Sequence, residues 1–130
     1  MMIPLPAVTP ITAPFWEACK RGVLQIQRCL NCGHKTLPPD VACNRCLSPG
    51  VVWTPCSGLG TVKSFSIVHR ASQPVFKVPY IVAIVQLDGG CALFTNLIHC
   101  DPDQVKIGMK VKVEFVSMSA EITLPYFAPD

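Results

Sequence analysis

Cys29, Cys32, Cys43 and Cys46 form two Cys-x-x-Cys pairs with ten residues between them. Each pair brings two thiolates to one side of a tight turn, and two such turns facing each other complete a closed tetrahedral S₄ shell suited to Zn²⁺. A single pair would also fit a thioredoxin-type redox site. The second pair, and Gly33 directly after Cys32, favour a metal knuckle. A closed shell has no open coordination position, so the expected Zn²⁺ is structural and not catalytic. Cys19, Cys56, Cys91 and Cys100 fall outside the paired pattern and read as small buried or half-buried thiols. The N-terminus lacks the charged and apolar regions of a signal peptide, and a reducing cytoplasm is the expected setting.

A ribbon of thirty to forty residues buries too little apolar area to fold alone, and metal binding supplies the missing free energy, on the order of 10 kcal/mol in small zinc peptides. The remainder of the 130 residues has room for one small domain. Hydrophobic residues make up 50% of the chain and charged residues 15%, whereas roughly a quarter are charged in an ordinary soluble domain. No apolar run approaches the ~20 residues that span a bilayer. The surplus apolar surface is therefore expected in a dense β core or under another protein, and the chain reads as a partner subunit in a hetero-oligomer.

Pro4, Pro6, Pro10 and Pro14 favour an extended arm over residues 1–14. Phe15 to Arg21 reads as a short helix, with Pro14 at its start, Glu17 in the first turn, Lys20 and Arg21 in the last, and Gly22 as the stop. Phe15 and Trp16 on that helix either pack on their own domain or dock on a partner. Val23 to Arg28 alternates apolar and polar residues as a strand into the first knuckle, Leu37 to Val41 leads to the second, and Val51 to Trp53 returns. Residues 55–60 hold two glycines and a proline and mark a boundary. Five strand-like runs follow, at Gly60–His69, Tyr80–Leu87, Cys91–Ile98, Met109–Val116 and Ile122–Phe127. Asp88-Gly89-Gly90 is a hairpin turn between two of them. The fold class expected is mainly β: an arm and short helix at 1–22, a rubredoxin-like zinc ribbon at 23–56, and a five-stranded OB-type barrel at 57–130.

Formal net charge is +3, and four thiolates on Zn²⁺ lower it to about +1. From Ser57 onward six basic residues meet six acidic ones. A nucleic-acid binder needs clustered Lys and Arg to neutralise phosphates, and that footprint is missing from the barrel. No base, nucleophile and orienting group can be nominated as a trio, so no catalytic residue is assigned: His34 sits in the knuckle, and His69 and His99 lie at strand ends. His69, Arg70, Phe76 and Lys77 make a loop with cations for phosphate oxygens and an aromatic for an acyl chain or pantetheine arm; the same loop also reads as plain solvated surface. Lys20, Arg21, Arg28, Lys35 and Arg45 around the ribbon are the other source of cations, unless they only offset the thiolate charge.

Phe15-Trp16-Glu17, Gln27-Arg28-Cys29 with Cys32-Gly33, Gly60-Thr61-Val62, Val68-His69-Arg70, Pro79-Tyr80-Ile81-Val82-Ala83, Thr95-Asn96-Leu97 and Ile107-Gly108-Met109 occur in this order. Together they resemble the domain-of-unknown-function 35 family over roughly residues 15–127. The resemblance implies a helix, a rubredoxin-like zinc ribbon and an OB-fold, and an association with acyl-CoA chemistry. It implies a non-catalytic subunit that binds a thiolase-like enzyme (thiolase, synthase or retro-aldol lyase) or a hydratase, and helps to form the CoA and acyl site. Some relatives fuse the module to a hydratase domain, which is not expected within these 130 residues. Two other classes compete: a zinc-ribbon and OB-fold module that stacks single-stranded bases, and a free-standing enzyme.

Overall fold

Hydrophobic alternation and turn residues account for most of the elements. The computed structural model describes residues 5–37, 39–70, 73–74 and 77–130. Helix α1 spans Ala13–Lys20. Strands β1 (Gln25–Cys29), β2 (Lys35–Thr36) and β3 (Val51–Pro55) form a three-stranded antiparallel sheet in the order β2-β1-β3. Strands β4 (Leu59–Val68), β5 (Tyr80–Leu87), β6 (Ala92–Leu97), β7 (Lys110–Ser117) and β8 (Thr123–Pro129) close a barrel in the order β4-β5-β6-β8-β7. That order, with β6 and β8 parallel through Leu97 and Phe127 and every other pair antiparallel, is the five-stranded OB arrangement.

The ten-residue β4 closes the barrel because it pairs with β5 along most of its length and with β7 through Leu59–Thr61. Gly60 sits where both neighbours approach. A Cβ there would lie 2.5 Å from Val85 Cγ1 and 2.8 Å from the Gln86 carbonyl oxygen, so a side chain has no room. Along β5 the residues Ile81, Ala83, Val85 and Leu87 are buried and Tyr80, Val82, Ile84 and Gln86 face outward, the period of two expected of a half-buried strand. The outward set is itself largely apolar.

One buried cluster serves both sheets. Leu24 and Ile26 join Val62, Val85, Val111 and Phe127, and Phe15 packs against their edge. Helix α1 lies on β8, β1 and β7 with Ala18 and Cys19 buried beneath it. The helix begins at Ala13, two residues before Phe15, where the sequence placed its start. Thr9 and Thr12 account for the shift: the amides of Thr12 and Ala13 both donate to the Thr9 carbonyl, and the two hydroxyls lie 2.9 Å apart, so the first turn forms ahead of Pro14. Glu17 is consequently in the middle of the helix and not in its first turn, which holds no acidic residue. No helix among the described residues is long and apolar enough to cross a membrane.

Candidate metal centre and apolar groove

The four knuckle cysteines come together as their spacing predicts. All four Sγ atoms lie within 4.8 Å of one another. Cys29 and Cys46 are 3.6 Å apart, as are Cys32 and Cys43, close to the ~3.8 Å edge of a tetrahedron with 2.3 Å Zn–S bonds. Backbone amides and Asn31 prepare Cys43 and Cys46 for charge, whereas Cys32, against the pull of the His34 amide, is pushed up to about 11 by burial and the neighbouring sulfurs. The amide of Cys32 donates to Cys29 Sγ at 3.4 Å, the amides of Arg45 and Cys46 donate to Cys43 Sγ at 3.4 Å, and Asn31 Nδ2 donates to Cys46 Sγ at 3.6 Å. The Asn31 bond, with the Ser48 amide, brings Cys46 down to about 6. The amide of Cys46 holds Cys43 below its usual value. Thiolate, not thiol, is the metal ligand, so these donors favour the binding form.

Each knuckle ends on a left-handed residue. Gly33 has φ +76° and its amide donates to the Cys29 carbonyl at 2.9 Å; Leu47 has φ +66° and repeats the bond to Cys43 at 2.9 Å. The second knuckle thus makes the same turn as the first without a glycine. Buried Gln27 ties its approach to β1: Gln27 Nε2 donates to the Asp40 carbonyl at 3.0 Å, and the Asp40 amide donates to Gln27 Oε1 at 2.8 Å.

A second feature is a groove of about 1160 Å³. Phe15 and Trp16 of α1 form one wall and Leu37 and Pro39 of the ribbon another; the floor is the outer face of β5, β6 and β8. Phe94 at its edge is 71% exposed. Phe15 and Trp16 meet edge to face at 4.9 Å between centroids, and Phe15 also meets Trp53 at 6.3 Å. Both side chains are half-buried on their own domain while lining the groove. Trp16 Nε1 is buried without a hydrogen-bond partner among the described residues.

The ligand candidates separate. Lys77 lines the groove. His69 and Arg70 are exposed just past the end of β4 and are not among the groove residues. Phe76 lies outside the described residues. Phe94 and Ile84 were not singled out from sequence, although β6 carries apolar residues on both faces, a signal that its outer face is not simply solvated. His99 Nε2 meets Glu114 Oε1 at 3.1 Å, both groups substantially exposed. The neighbouring Cys100 sulfur donates to the Asp101 carbonyl, and burial followed by the Asp101 charge raises its pKa, the opposite of what a nucleophile needs.

The ChsH2 rubredoxin-like zinc ribbon domain family matches residues 16–52, and the ChsH2 C-terminal OB-fold domain family matches residues 53–116. A DUF35 domain-containing scaffold protein of Methanothermobacter thermautotrophicus is 31% identical over 96 residues, covering 72% of each chain. The chain belongs to the DUF35 (ChsH2) family. A solved structure described as an Ltp2-ChsH2(DUF35) aldolase matches with a TM-score of 0.87 and 38% identity, over 96% of this chain and 98% of that one. A protein of Thermomonospora curvata named "Probable enoyl-CoA hydratase alpha subunit" is 38% identical over 126 residues. The match covers 97% of this chain and only 40% of that longer relative. Within the DUF35 family the knuckle cysteines are accounted for by the zinc ribbon, whereas the groove runs across helix, ribbon and barrel.

Proposed function

We propose that this chain is a non-catalytic accessory subunit of an acyl-CoA-processing complex. It binds a thiolase-like catalytic subunit (a thiolase, synthase or retro-aldol lyase) or a hydratase, in a cytoplasmic hetero-oligomer. The apolar groove with Phe94 standing out at its edge carries this reading. It joins apolar side chains of helix, ribbon and barrel in one concave, partly exposed surface, the kind of patch that marks an interaction site, and relatives carry the names of scaffold proteins and enzyme subunits.

Zn²⁺ at Cys29, Cys32, Cys43 and Cys46 supplies structural rigidity only, because four thiolates leave it no open position. The knuckles then hold Leu37 and Pro39 against the barrel as one wall of the groove. Phe15 and Trp16 serve as aromatic anchors for the partner. Lys77 at the groove, with His69 and Arg70 on the adjoining loop, suits the anionic part of an acyl-CoA held at the shared interface. Reaction chemistry is left to the partner.

The reading is tested by pulling the tagged protein from its native lysate at moderate salt and identifying what stays bound by mass spectrometry. A thiolase-like or hydratase subunit in near-equal amount is expected. Recovery alone sinks the proposal. The outer face of β5 and β6 is also where OB-folds stack nucleic-acid bases, so recovery with single-stranded nucleic acid that salt removes would replace it with that reading.

A further inference from the structure

Strand β4 is ten residues long, yet β7 covers only its start. Leu59, Gly60 and Thr61 pair with β7, and the last contact on that side is Val62: its amide donates to the Met109 carbonyl at 2.9 Å, and its carbonyl accepts from the Gly108 amide at 2.8 Å. The ladder to β5 continues from Ser64 to Val68. Among the described residues no backbone hydrogen bond reaches residues 63–68 from the other side. In an antiparallel ladder alternate residues turn their N–H and C=O groups away from the paired neighbour. This half of β4 is therefore an open edge.

Solvent exposure agrees. Gly60 and Val62 are buried, whereas Lys63, Ser64, Phe65 and Ser66 are exposed in succession. Successive residues of a strand point to opposite faces, so both faces of this stretch meet solvent. Phe65 stands opposite buried Ala83, and Ile67 opposite buried Ile81, which turns both toward the core side of the sheet. Phe65 is nevertheless 36% exposed.

A row of unpaired backbone groups is a template for another chain, and natural edges are blunted by charge, proline or bulges. Strand β4 carries a bulge between Val62 and Ser64 and one charge, Lys63, where β7 leaves it. Residues 64–68, Ser-Phe-Ser-Ile-Val, hold neither charge nor proline, and Phe, Ile and Val favour strands. The stretch is also complementary to itself. Antiparallel pairing with a second copy about a two-fold at Ser66 sets Phe65 against Ile67 of the copy, and Ile67 against its Phe65. Lys63 then meets His69 of the copy and not a second lysine.

We propose that the open edge of β4 pairs antiparallel with the same edge of a second copy of this chain, with Ser66 on the two-fold axis. The sheet then runs without a break from β6-β5-β4 of one chain into β4-β5-β6 of the other. An antiparallel join turns one copy by half a turn about the sheet normal, so the same face of each sheet looks the same way. Both apolar grooves, floored by the outer faces of β5 and β6, thus open on one side of the dimer. Five paired residues a side bury well under the ~1,200 Å² of a stable interface, so the dimer is weak, with a dissociation constant on the order of 100 µM. The pairing needs no catalytic partner and is tested without one.

The test is sedimentation equilibrium of the full, metal-loaded chain from about 10 µM to about 1 mM, with amide exchange followed by NMR at both ends of that range. A monomer–dimer equilibrium is expected, with amides in residues 64–68 gaining protection as concentration rises. Ser66→Lys puts like charges directly opposite each other at an exposed position and is expected to weaken association about tenfold, as is Ser66→Glu. An equimolar mixture of the two variants is expected to restore association, because opposite charges then face each other across the axis. A chain that stays monomeric at the highest concentration, association that Ser66→Lys leaves intact, or a mixture no tighter than either variant alone overturns the assignment. So does loss of association in Phe94→Thr but not in Ser66→Lys, which would place the contact in the groove. Where a variant does not fold, the unsubstituted chain decides: protection gained at residues 64–68 supports the pairing, and protection gained only elsewhere overturns it.

Discussion

Ile84 on β5 and Phe94 on β6 stand directly opposite each other across the ladder, on the outer face of the barrel, 38% and 71% exposed. Two facing apolar side chains gain from each other even in water, but most of the Phe94 ring still meets solvent. Phe94→Thr keeps strand propensity and removes little buried area, so stability is expected to change by no more than ~0.5 kcal/mol. Affinity for the captured catalytic subunit is expected to fall about thirtyfold, as for a central aromatic anchor. Scanning calorimetry checks the first half and titration calorimetry the second, and undiminished partner affinity would place the interface elsewhere.

The two knuckles predict opposite responses to exchanging residue types at equivalent positions. Leu47 is 79% exposed at φ +66°, so its side chain contributes almost no packing while its backbone is strained. Leu47→Gly relieves roughly 1–2 kcal/mol of left-handed strain and returns part of it as unfolded-state entropy, for a net gain of about 0.5–1 kcal/mol. Gly33 has open space where a methyl group would stand, with nothing within 4 Å, yet sits at φ +76°. Gly33→Ala is therefore expected to lose about 1 kcal/mol through backbone strain alone. Urea unfolding midpoints of the metal-loaded variants, moving in the same direction for both, would refute this account.

What was readable from sequence, and what was not, follows from the distance over which each feature is encoded. The cysteine knuckles are encoded within four residues, and the barrel strands within ten, so spacing and alternation reached them. The start of α1 depends on a hydroxyl and carbonyl cluster between Thr9 and Thr12 that no periodicity announces. Leu47 hid a turn that a glycine would have advertised. The groove draws on residues near 12–16, 37–39 and 77–126, and only the closed strand order brings these together. Arg28 and Lys35 were visible as charges, but their pairing depends on the register across the first knuckle.

Alkaline pH is expected to weaken the fold through thiols unconnected with the metal. Burial pushes Cys19 up to about 12, and burial with the nearby Cys56 pushes Cys91 up to about 11. An unfolded thiol ionises near its ordinary value of 9.0, so above that pH the unfolded chain releases protons that the folded chain retains. Stability is then full below pH 9 and declines as pH rises toward the folded values. Cys19 is 1% exposed beneath α1, and Cys19→Ala is expected to flatten the fall measured between pH 8.5 and 10.5 (roughly the window set by the ordinary thiol value). Identical slopes for the two proteins would show that Cys19 does not contribute.

Metal removal is expected to act unevenly because the ribbon has two kinds of anchor. Leu24 and Ile26 belong to the same buried cluster as Val62 and Phe127, so the start of β1 is held by the barrel whether or not an ion is bound. The knuckles at 29–34 and 43–48 have no such support: Cys32, Gly33, Cys46 and Leu47 are all exposed. Once the cation is gone the sulfurs lose the charge that held them together as thiolates and take up protons. A strong chelator is therefore expected to release one Zn²⁺ per chain and to speed amide exchange in both knuckles by orders of magnitude, while amides of β5 and β6 stay protected. Cys43→Ser is expected to give the same exchange pattern without chelator. Metal-free protein that keeps protected knuckles would show the site to be dispensable for the ribbon, and simultaneous exchange in β5 would show ribbon and barrel to be one cooperative unit.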